Sequence, residues 1–95
     1  MPAQTTVPPR AVAVVGASRD PASIGGVLLR NVRASHHGPV YPVHATAAEV
    51  QGLAAYPSVQ AIGAPVDLAV IAVPAAAVGA VVADCAAAGV RGVVV

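Results

Sequence analysis

The sequence contains no lysine, no phenylalanine and no tryptophan, and only one of its 95 residues is a cysteine. Five arginines and four acidic residues leave a formal net charge of +1, so the chain lacks the basic stripe with which proteins bind nucleic acid. One cysteine excludes a disulfide framework within the chain, and Cys85, in an alanine-rich stretch, is predicted to be a small buried hydrophobic residue. The 57% hydrophobic content is mainly Ala and Val, which predicts one small, closely packed domain.

Targeting and membrane signals are weak. The first ten residues lack the basic and apolar regions of a secretory signal, so we expect a cytoplasmic protein. An uncharged run over residues 68–83 is bounded by Asp67 and Asp84, contains Pro74, and is shorter than the ~20 residues of a spanning helix. It is predicted to form a buried strand followed by a packed helix, with no membrane contact.

The N-terminal half begins with a leader, a strand and a helix. Residues 1–9 show no periodicity and are predicted to be flexible, whereas residues 11–15 form a continuous apolar run typical of a buried strand. Ser23 is a suitable N-cap for an amphipathic helix over residues 24–35. The helical spacing predicts a buried face made of Ile24, Val27, Leu28 and Val32.

A second strand and a helical turn are predicted next. Residues 40–43 are typical of a short strand, and Pro42 favours a position at the edge of a sheet. Thr46 and Glu49 match a capping box, which predicts a helical turn over residues 47–51. A loop is expected after it.

The C-terminal half continues the alternation. A short turn is expected over residues 58–62, and residues 68–73 carry the strongest signal of a buried strand. Helical spacing over Val78, Val81, Val82 and Cys85 predicts a helix that stops at Gly89, followed by a strand from Arg91. Alternating strands and helices require right-handed crossovers, so the predicted fold is a Rossmann-like three-layer α/β/α domain with a parallel sheet over residues 10–95. Because the last strand runs to the final residue, we expect the domain to be incomplete at its C-terminus.

An anion-binding loop is predicted within residues 11–26. The apolar run breaks at Gly16 into small and polar residues, and the helix begins near Ile24. A loop from the carboxyl end of the first strand into a helix N-terminus collects free N–H groups and the positive end of the helix dipole. The dinucleotide fingerprint G-x-G-x-x-G is missing, and His44 stands where NAD-binding domains carry an acidic residue. Both observations disfavour NAD.

Several motifs occur in a characteristic order: VGAS at 15–18, SIGG at 23–26, GPVYPV at 38–43, EVQG at 49–52, YPSV at 56–59 and VDLAVIAVPA at 66–75. In these motifs the chain resembles the N-terminal CoA-binding domain of NDP-forming acyl-CoA synthetases, which is related to the succinyl-CoA synthetase α subunit. The same domain is also found fused to GNAT-type protein acetyltransferases. The resemblance implies coenzyme A as ligand and an ATP-grasp or acetyltransferase domain as partner in the parent protein. It implies no catalytic residue and no metal site in this chain.

The resemblance also implies a set of CoA-binding residues. The loop at residues 16–18 would lie against the phosphates, and residues 73–75 would line the adenine side. The family commonly has Asn-Pro-Lys after the second strand, where this chain has residues 44–46, so a cation is missing. The candidate binding residues are Gly16, Ala17, Ser18, Ile24, Gly25, His44, Thr46, Val73 and Pro74.

Two other functions stay open at this point. The chain could be an NAD(P)-binding Rossmann domain of an oxidoreductase, or a degenerate domain that binds no ligand and serves only interactions. Gly16 could serve only a tight turn, and Pro74 only the end of a strand. The pair His36 and His37 is predicted to be a solvated helix end, because adjacent side chains point in different directions and no other ligand lies at metal-binding spacing.

Overall fold

The computed structural model describes residues 10–95; the predicted leader lies outside them. The elements follow in the order β1 (Val12–Val15), α1 (Ile24–Ser35), β2 (Val40–Val43), β3 (Glu49–Val50), β4 (Leu53–Ala54), a 3₁₀ turn (Gln60–Ile62), β5 (Leu68–Ile71), α2 (Ala75–Ala87) and β6 (Gly92–Val94). Neither described helix has the length and apolar character needed to cross a bilayer.

The main sheet has four parallel strands in the order β2-β1-β5-β6. The chain moves from β1 to its neighbour β2, returns past β1 to β5, and continues to β6. With right-handed crossovers, this reversal puts α1 on one face and α2 on the other. The predicted three-layer α/β/α arrangement is confirmed.

Strand β2 lies at one edge of the sheet, as Pro42 predicts, because proline cannot donate to a ladder. Its outer side is partly covered: the N–H of Tyr56 donates to the carbonyl of Pro42 at 3.0 Å, and the N–H of His44 donates to the carbonyl of Tyr56 at 2.9 Å. These bonds hold the residue that follows β2 in a defined position.

The buried face of α1 agrees with the prediction at Leu28 and Val32, which pack against the core, and differs from it at Ile24. Leu29 is fully buried and Gly25 and Gly26 are buried with it, whereas Ile24 is 75% exposed. Because glycine has no Cβ, the first turn of the helix approaches the sheet and the loop through Gly25 and Gly26, which turns Ile24 outward. N-capping by Ser23 is confirmed: its Oγ accepts the N–H of Gly26 at 3.0 Å.

The predicted helical turn over residues 47–51 is wrong. Strands β3 and β4 form an antiparallel hairpin there, with Val50 opposite Leu53. Gln51 and Gly52 have φ angles of 51° and 80°, as a two-residue hairpin turn with two left-handed residues requires. The hairpin packs on the α1 face: Val50 is fully buried in a cluster with Leu29, and the side chain of Gln51 donates to the carbonyl of Gly26 at 2.9 Å. Long-range packing thus overrides the local capping signal.

The second half agrees with prediction. Helix α2 ends at Ala87, before Gly89 at a φ of 80°. Asp84 joins α2 to the 3₁₀ turn, since its carboxylate accepts the N–H groups of Val59 at 2.7 Å and Gln60 at 3.2 Å. Cys85 is 1% exposed, which confirms it as a buried residue, and burial together with the charge of Asp84 raises the pKa of its thiol.

Candidate functional site

A cleft of about 470 Å³ lies at the carboxyl ends of β1, β2 and β5. The direction of the chain reverses between β1 and β5, which makes this edge the topological switch point where open α/β sheets bind ligands. The cleft is lined by Val15, Gly16, Ala17, Ser18, Val43, His44, Ala45, Pro57, Ala72, Val73, Pro74 and Val81. Apolar walls therefore surround a small number of polar groups.

Gly16 is the junction between the three strands. Its φ is +89°, and a Cβ added here would overlap the backbone carbonyl oxygen of Ala72, just after β5. Its N–H donates to the carbonyl of Val43, at the end of β2, at 3.1 Å. Both the backbone conformation and the close approach require glycine, so Gly16 has a structural role in addition to any contact with a ligand.

The N-terminus of α1 lies against this loop. The Oγ of Ser23 accepts the N–H of Gly26 and donates to the carbonyl of Asp20 at 2.8 Å. Among residues 10–95 we find no acceptor for the N–H groups of Ile24 and Gly25, as expected for the first turn of a helix. These donors and the positive end of the helix dipole favour an anion beside the loop.

Ser18 is the polar side chain of the loop at residues 16–18. Its Oγ accepts the N–H of Asp20 at 3.0 Å, which leaves the hydroxyl proton free to be donated. The carboxylate of Asp20 accepts the N–H of Ala22 at 2.9 Å and is not part of the cleft lining. The negative charge of the loop is thus directed toward its own backbone.

His44 is the one titratable side chain among the lining residues. It follows β2, is half-buried, and its Nδ1 accepts the backbone N–H groups of Thr46 at 3.1 Å and Ala47 at 2.9 Å. The histidine ring therefore closes the loop after β2 in the way that an Asn or Asp side chain does in an Asx turn.

Most of the predicted binding residues meet at this cleft: Gly16, Ala17, Ser18, His44, Val73 and Pro74 line it. Gly25 is adjacent, because an added Cβ would overlap the carbonyl oxygen of Gly16. Ile24 and Thr46 are outside the lining; Ile24 is the exposed first residue of α1, and Thr46 is an exposed residue two positions beyond His44.

Sequence reasoning missed some neighbours of the cleft. Pro57 and Val81 line it from parts of the chain distant in sequence, and no local signal identifies them. Arg19 is an exposed cation directly after Ser18, and none of the hydrogen bonds found within residues 10–95 uses its guanidinium. Its position next to a predicted phosphate loop was the signal that could have identified it.

A second cavity, of about 650 Å³, lies at the opposite edge of the sheet, near Asp67, Gly89 and Arg91. It contains none of the predicted binding residues, and the carboxylate of Asp67 already accepts the N–H of Arg10 at 2.7 Å. It also lies at the amino ends of the strands, away from the switch point. The smaller cleft is therefore the better candidate for a ligand site.

A parallel sheet, a cleft at its switch point and a loop of small residues before a helix N-terminus define a Rossmann-like ligand-binding domain. The family model described as "CoA binding domain" matches residues 10–95. The chain therefore belongs to this family of CoA-binding domains.

Two similar ligases come from archaea. The chain is 45% identical over 87 residues to the acetate–CoA ligase [ADP-forming] II subunit alpha of Pyrococcus furiosus, a match that covers 92% of this chain and 19% of that protein. It is 41% identical to acetate–CoA ligase [ADP-forming] II of Archaeoglobus fulgidus, over 92% of this chain and 13% of that protein. The chain thus spans less than a fifth of the length of these relatives.

Solved structures agree. The apo form of the dinucleotide forming acetyl-coenzyme A synthetase 1 of Ca. Korarchaeum cryptofilum superposes with a TM-score of 0.87 at 48% identity, over 90% of this chain and 19% of that one. A conserved hypothetical protein from Pyrococcus furiosus superposes with a TM-score of 0.80 at 32% identity, over 88% of this chain and 72% of that one. The same fold therefore occurs in large synthetases and in a much shorter chain.

Proposed function

We propose that this domain binds coenzyme A in the cleft at the carboxyl ends of β1, β2 and β5. Two features of the site carry the proposal. The N–H donors at the start of α1 lie next to the loop at residues 16–18, because Gly25 packs against the carbonyl of Gly16, and the cleft that this loop lines has an apolar part that includes Val73 and Pro74. Coenzyme A combines anionic phosphates with a flat adenine ring, and these two surfaces suit its two parts. Membership of the CoA-binding family supports the same ligand.

In this proposal each region of the cleft has one task. The loop at residues 16–18 and the N–H groups of Ile24 and Gly25 hold the phosphates through hydrogen bonds and the helix dipole. Val73 and Pro74 pack against the adenine. His44 and Thr46, after β2, lie on the side of the ribose.

We further propose that the domain is the CoA-binding part of an NDP-forming acid–CoA ligase and catalyses nothing alone. The cleft lining has one titratable side chain, His44, and its Nδ1 already accepts two backbone N–H groups. The described lining therefore contains no second titratable side chain with which His44 could act as a general base. In this view an ATP-grasp domain of the parent protein supplies the nucleotide chemistry. The names of the ligase relatives support this assignment.

Calorimetric titration of the purified chain with CoA and with NAD tests the proposal. We expect saturable binding of CoA at one site and weaker or undetectable binding of NAD. Tighter binding of NAD would favour an oxidoreductase domain, and failure of both ligands would favour a domain that serves interactions only.

A matched pair of variants locates the site. Ser18→Ala removes a hydroxyl from the cleft, and we expect the CoA affinity to fall by about threefold to tenfold, as for the loss of one hydrogen bond. Ser35→Ala makes the same chemical change at the far end of α1, where Oγ donates to the carbonyl of Asn31, and should leave affinity unchanged. Equal affinities for both variants would contradict this placement of the ligand.

A further inference from the structure

Two walls of the cleft come from parts of the chain that lie far apart in sequence. Pro57 follows the hairpin β3–β4, and Val81 lies in the middle of α2. Neither residue belongs to a strand of the main sheet, so the strand order alone does not fix the distance between them. A contact outside the sheet is needed to hold these two walls in place.

The carboxylate of Asp84 supplies such a contact. Asp84 lies three residues after Val81 on α2, and side chains at this spacing are neighbours on the surface of a helix. One carboxylate oxygen accepts the N–H of Val59 at 2.7 Å, and the other accepts the backbone N–H of Gln60 at 3.2 Å and its side-chain N–H at 2.9 Å. A single side chain of α2 thus binds the chain two and three residues beyond Pro57.

The other end of the same segment is bound to the sheet. The N–H of Tyr56 donates to the carbonyl of Pro42, on the edge strand β2, at 3.0 Å. Val59 is 2% exposed and packs in the same core cluster as Cys85 of α2. Pro57 therefore lies in a short stretch that is fixed at both ends, at Tyr56 by the sheet and at Val59 by α2.

The charge of Asp84 is directed at this segment and not at the ligand. Asp84 is the only charged residue within Ala75–Ala87, and it does not line the cleft. Hydrogen bonds to an ionised acceptor are stronger than those between neutral groups, and a buried N–H such as that of Val59 is costly to leave without a partner. The contact between α2 and the segment after Pro57 is therefore a strong one.

We propose that Asp84 is a positioning residue of the ligand site. Through its bonds to the segment after Pro57 it sets the distance between Pro57 and Val81, and with it the width of the cleft. The inference rests on the proposed function and adds to it a residue that controls binding without touching the ligand. A carboxylate that served stability alone would leave the CoA affinity of the folded protein unchanged.

Two substitutions weaken this contact in steps. Asp84→Asn keeps the size of the side chain and one acceptor oxygen, but its NH₂ group faces N–H donors and cannot accept from them. Asp84→Ala removes every bond. Asp67→Asn is the matched control, because the carboxylate of Asp67 also accepts a backbone N–H, that of Arg10 at 2.7 Å, yet lies at the opposite edge of the sheet.

Calorimetric titrations with CoA, beside thermal unfolding of the same proteins, are the test. We expect the CoA affinity to fall by about threefold in Asp84→Asn and by about tenfold in Asp84→Ala, in the range found for residues coupled through a shared cavity. Asp67→Asn should lower the melting temperature and leave the CoA affinity unchanged. If Asp84→Ala does not fold, Asp84→Asn by itself decides the outcome.

A double-mutant cycle shows whether Asp84 acts through this wall of the cleft. Pro57→Ala removes the proline ring from the wall and should itself weaken CoA binding. In the Pro57→Ala background the further loss caused by Asp84→Asn should be much smaller than in the wild type, because the group that Asp84 positions is gone.

Three results would overturn the inference and leave the proposed function intact. The first is an unchanged CoA affinity in the Asp84 variants beside a lowered melting temperature, which would make Asp84 a stabilising residue only. The second is a Pro57→Ala protein that binds CoA as tightly as the wild type. The third is an equal loss from Asp84→Asn in both backgrounds of the cycle. Failure of the wild type to bind CoA would instead reject the proposed function, and this inference with it.

Discussion

Gly25, in the first turn of α1, lies directly against the backbone carbonyl of Gly16 at the end of β1. A Cβ added to Gly25 would overlap that oxygen and come within 2.9 Å of the carbonyl carbon. The helix can start this close to the loop only because Gly25 has no side chain. The contact brings the N–H groups of the first helical turn next to the loop that lines the cleft, so packing and the proposed ligand binding depend on the same atoms.

Gly25→Ala should therefore destabilise the protein by about 1–3 kcal/mol, the usual cost of overpacking. The folded fraction should also bind CoA more weakly, because the helix start is pushed away from the loop. Urea unfolding and a CoA titration on the same variant measure the two effects. Gly79→Ala is the control: beyond the neighbouring residues and backbone of its own helix, no atom lies within 4 Å of the added Cβ, and alanine in the exposed part of α2 should stabilise by about 0.5–1 kcal/mol. Equal stabilities of the two variants would contradict the contact.

Arg19→Ala should weaken CoA binding by about 0.2–1 kcal/mol at low ionic strength, since an exposed cation beside the loop attracts the phosphates through solvent. The difference from the wild type should shrink as salt is added. Arg91→Ala removes an exposed arginine at the opposite edge of the sheet and should have no effect. Titrations with CoA at two salt concentrations test this prediction. An equal loss of CoA affinity in both variants would show that the effect depends on the net charge of the protein and not on the position of Arg19.

Thr46→Lys should tighten CoA binding by about 0.5–1 kcal/mol, because it introduces a cation after β2 at an exposed site. The hydrogen bond to His44 uses the backbone N–H of Thr46, so changing the exposed side chain leaves that bond in place. Thr46→Glu should weaken binding by a similar amount, and salt should reduce both effects. If the two variants have the same affinity at low ionic strength, the loop after β2 does not face the ligand.

The free energy of unfolding should decrease as the pH rises above the ordinary thiol pKa of about 8.5. Burial, with the charge of Asp84, raises the pKa of Cys85 in the folded state. Between the two pKa values the unfolded chain loses the thiol proton while the folded chain keeps it, so the free energy of unfolding decreases as pH rises. Urea unfolding between pH 7 and 10 should show a shallower decrease for Cys85→Ala. Parallel curves for the two proteins would contradict the assignment.

Local signals predicted much of this fold. Continuous apolar runs identified β1 and β5, because strands covered on both faces need no polar alternation. Ser23 identified the start of α1, and Gly89 the end of α2, because capping depends on the residue itself and its immediate neighbours. The loop after β1 was also predicted from local sequence, because the apolar run breaks at Gly16 into small and polar residues.

Local signals failed where distant residues compete. Thr46 and Glu49 match a capping box, yet the chain forms the hairpin β3–β4, since a hairpin buries Val50 against Leu29 and a single helical turn contributes little alone. Periodicity also placed Ile24 on the buried face of α1. The two glycines after it contact the loop more closely, and they decide which face turns inward.

For the candidate site, the sequence by itself determined the chemistry available: a glycine-rich loop before a helix and a histidine after β2 in place of an acid or a lysine. Only the tertiary structure decided how these groups are used. It gathers Gly16, Ser18, His44 and Pro74 at one cleft from three strands, and it turns the ring of His44 so that Nδ1 accepts the backbone N–H groups of the loop that follows β2. The reason is geometric, because the carboxyl ends of parallel strands meet at one edge of the sheet however far apart they are in the chain.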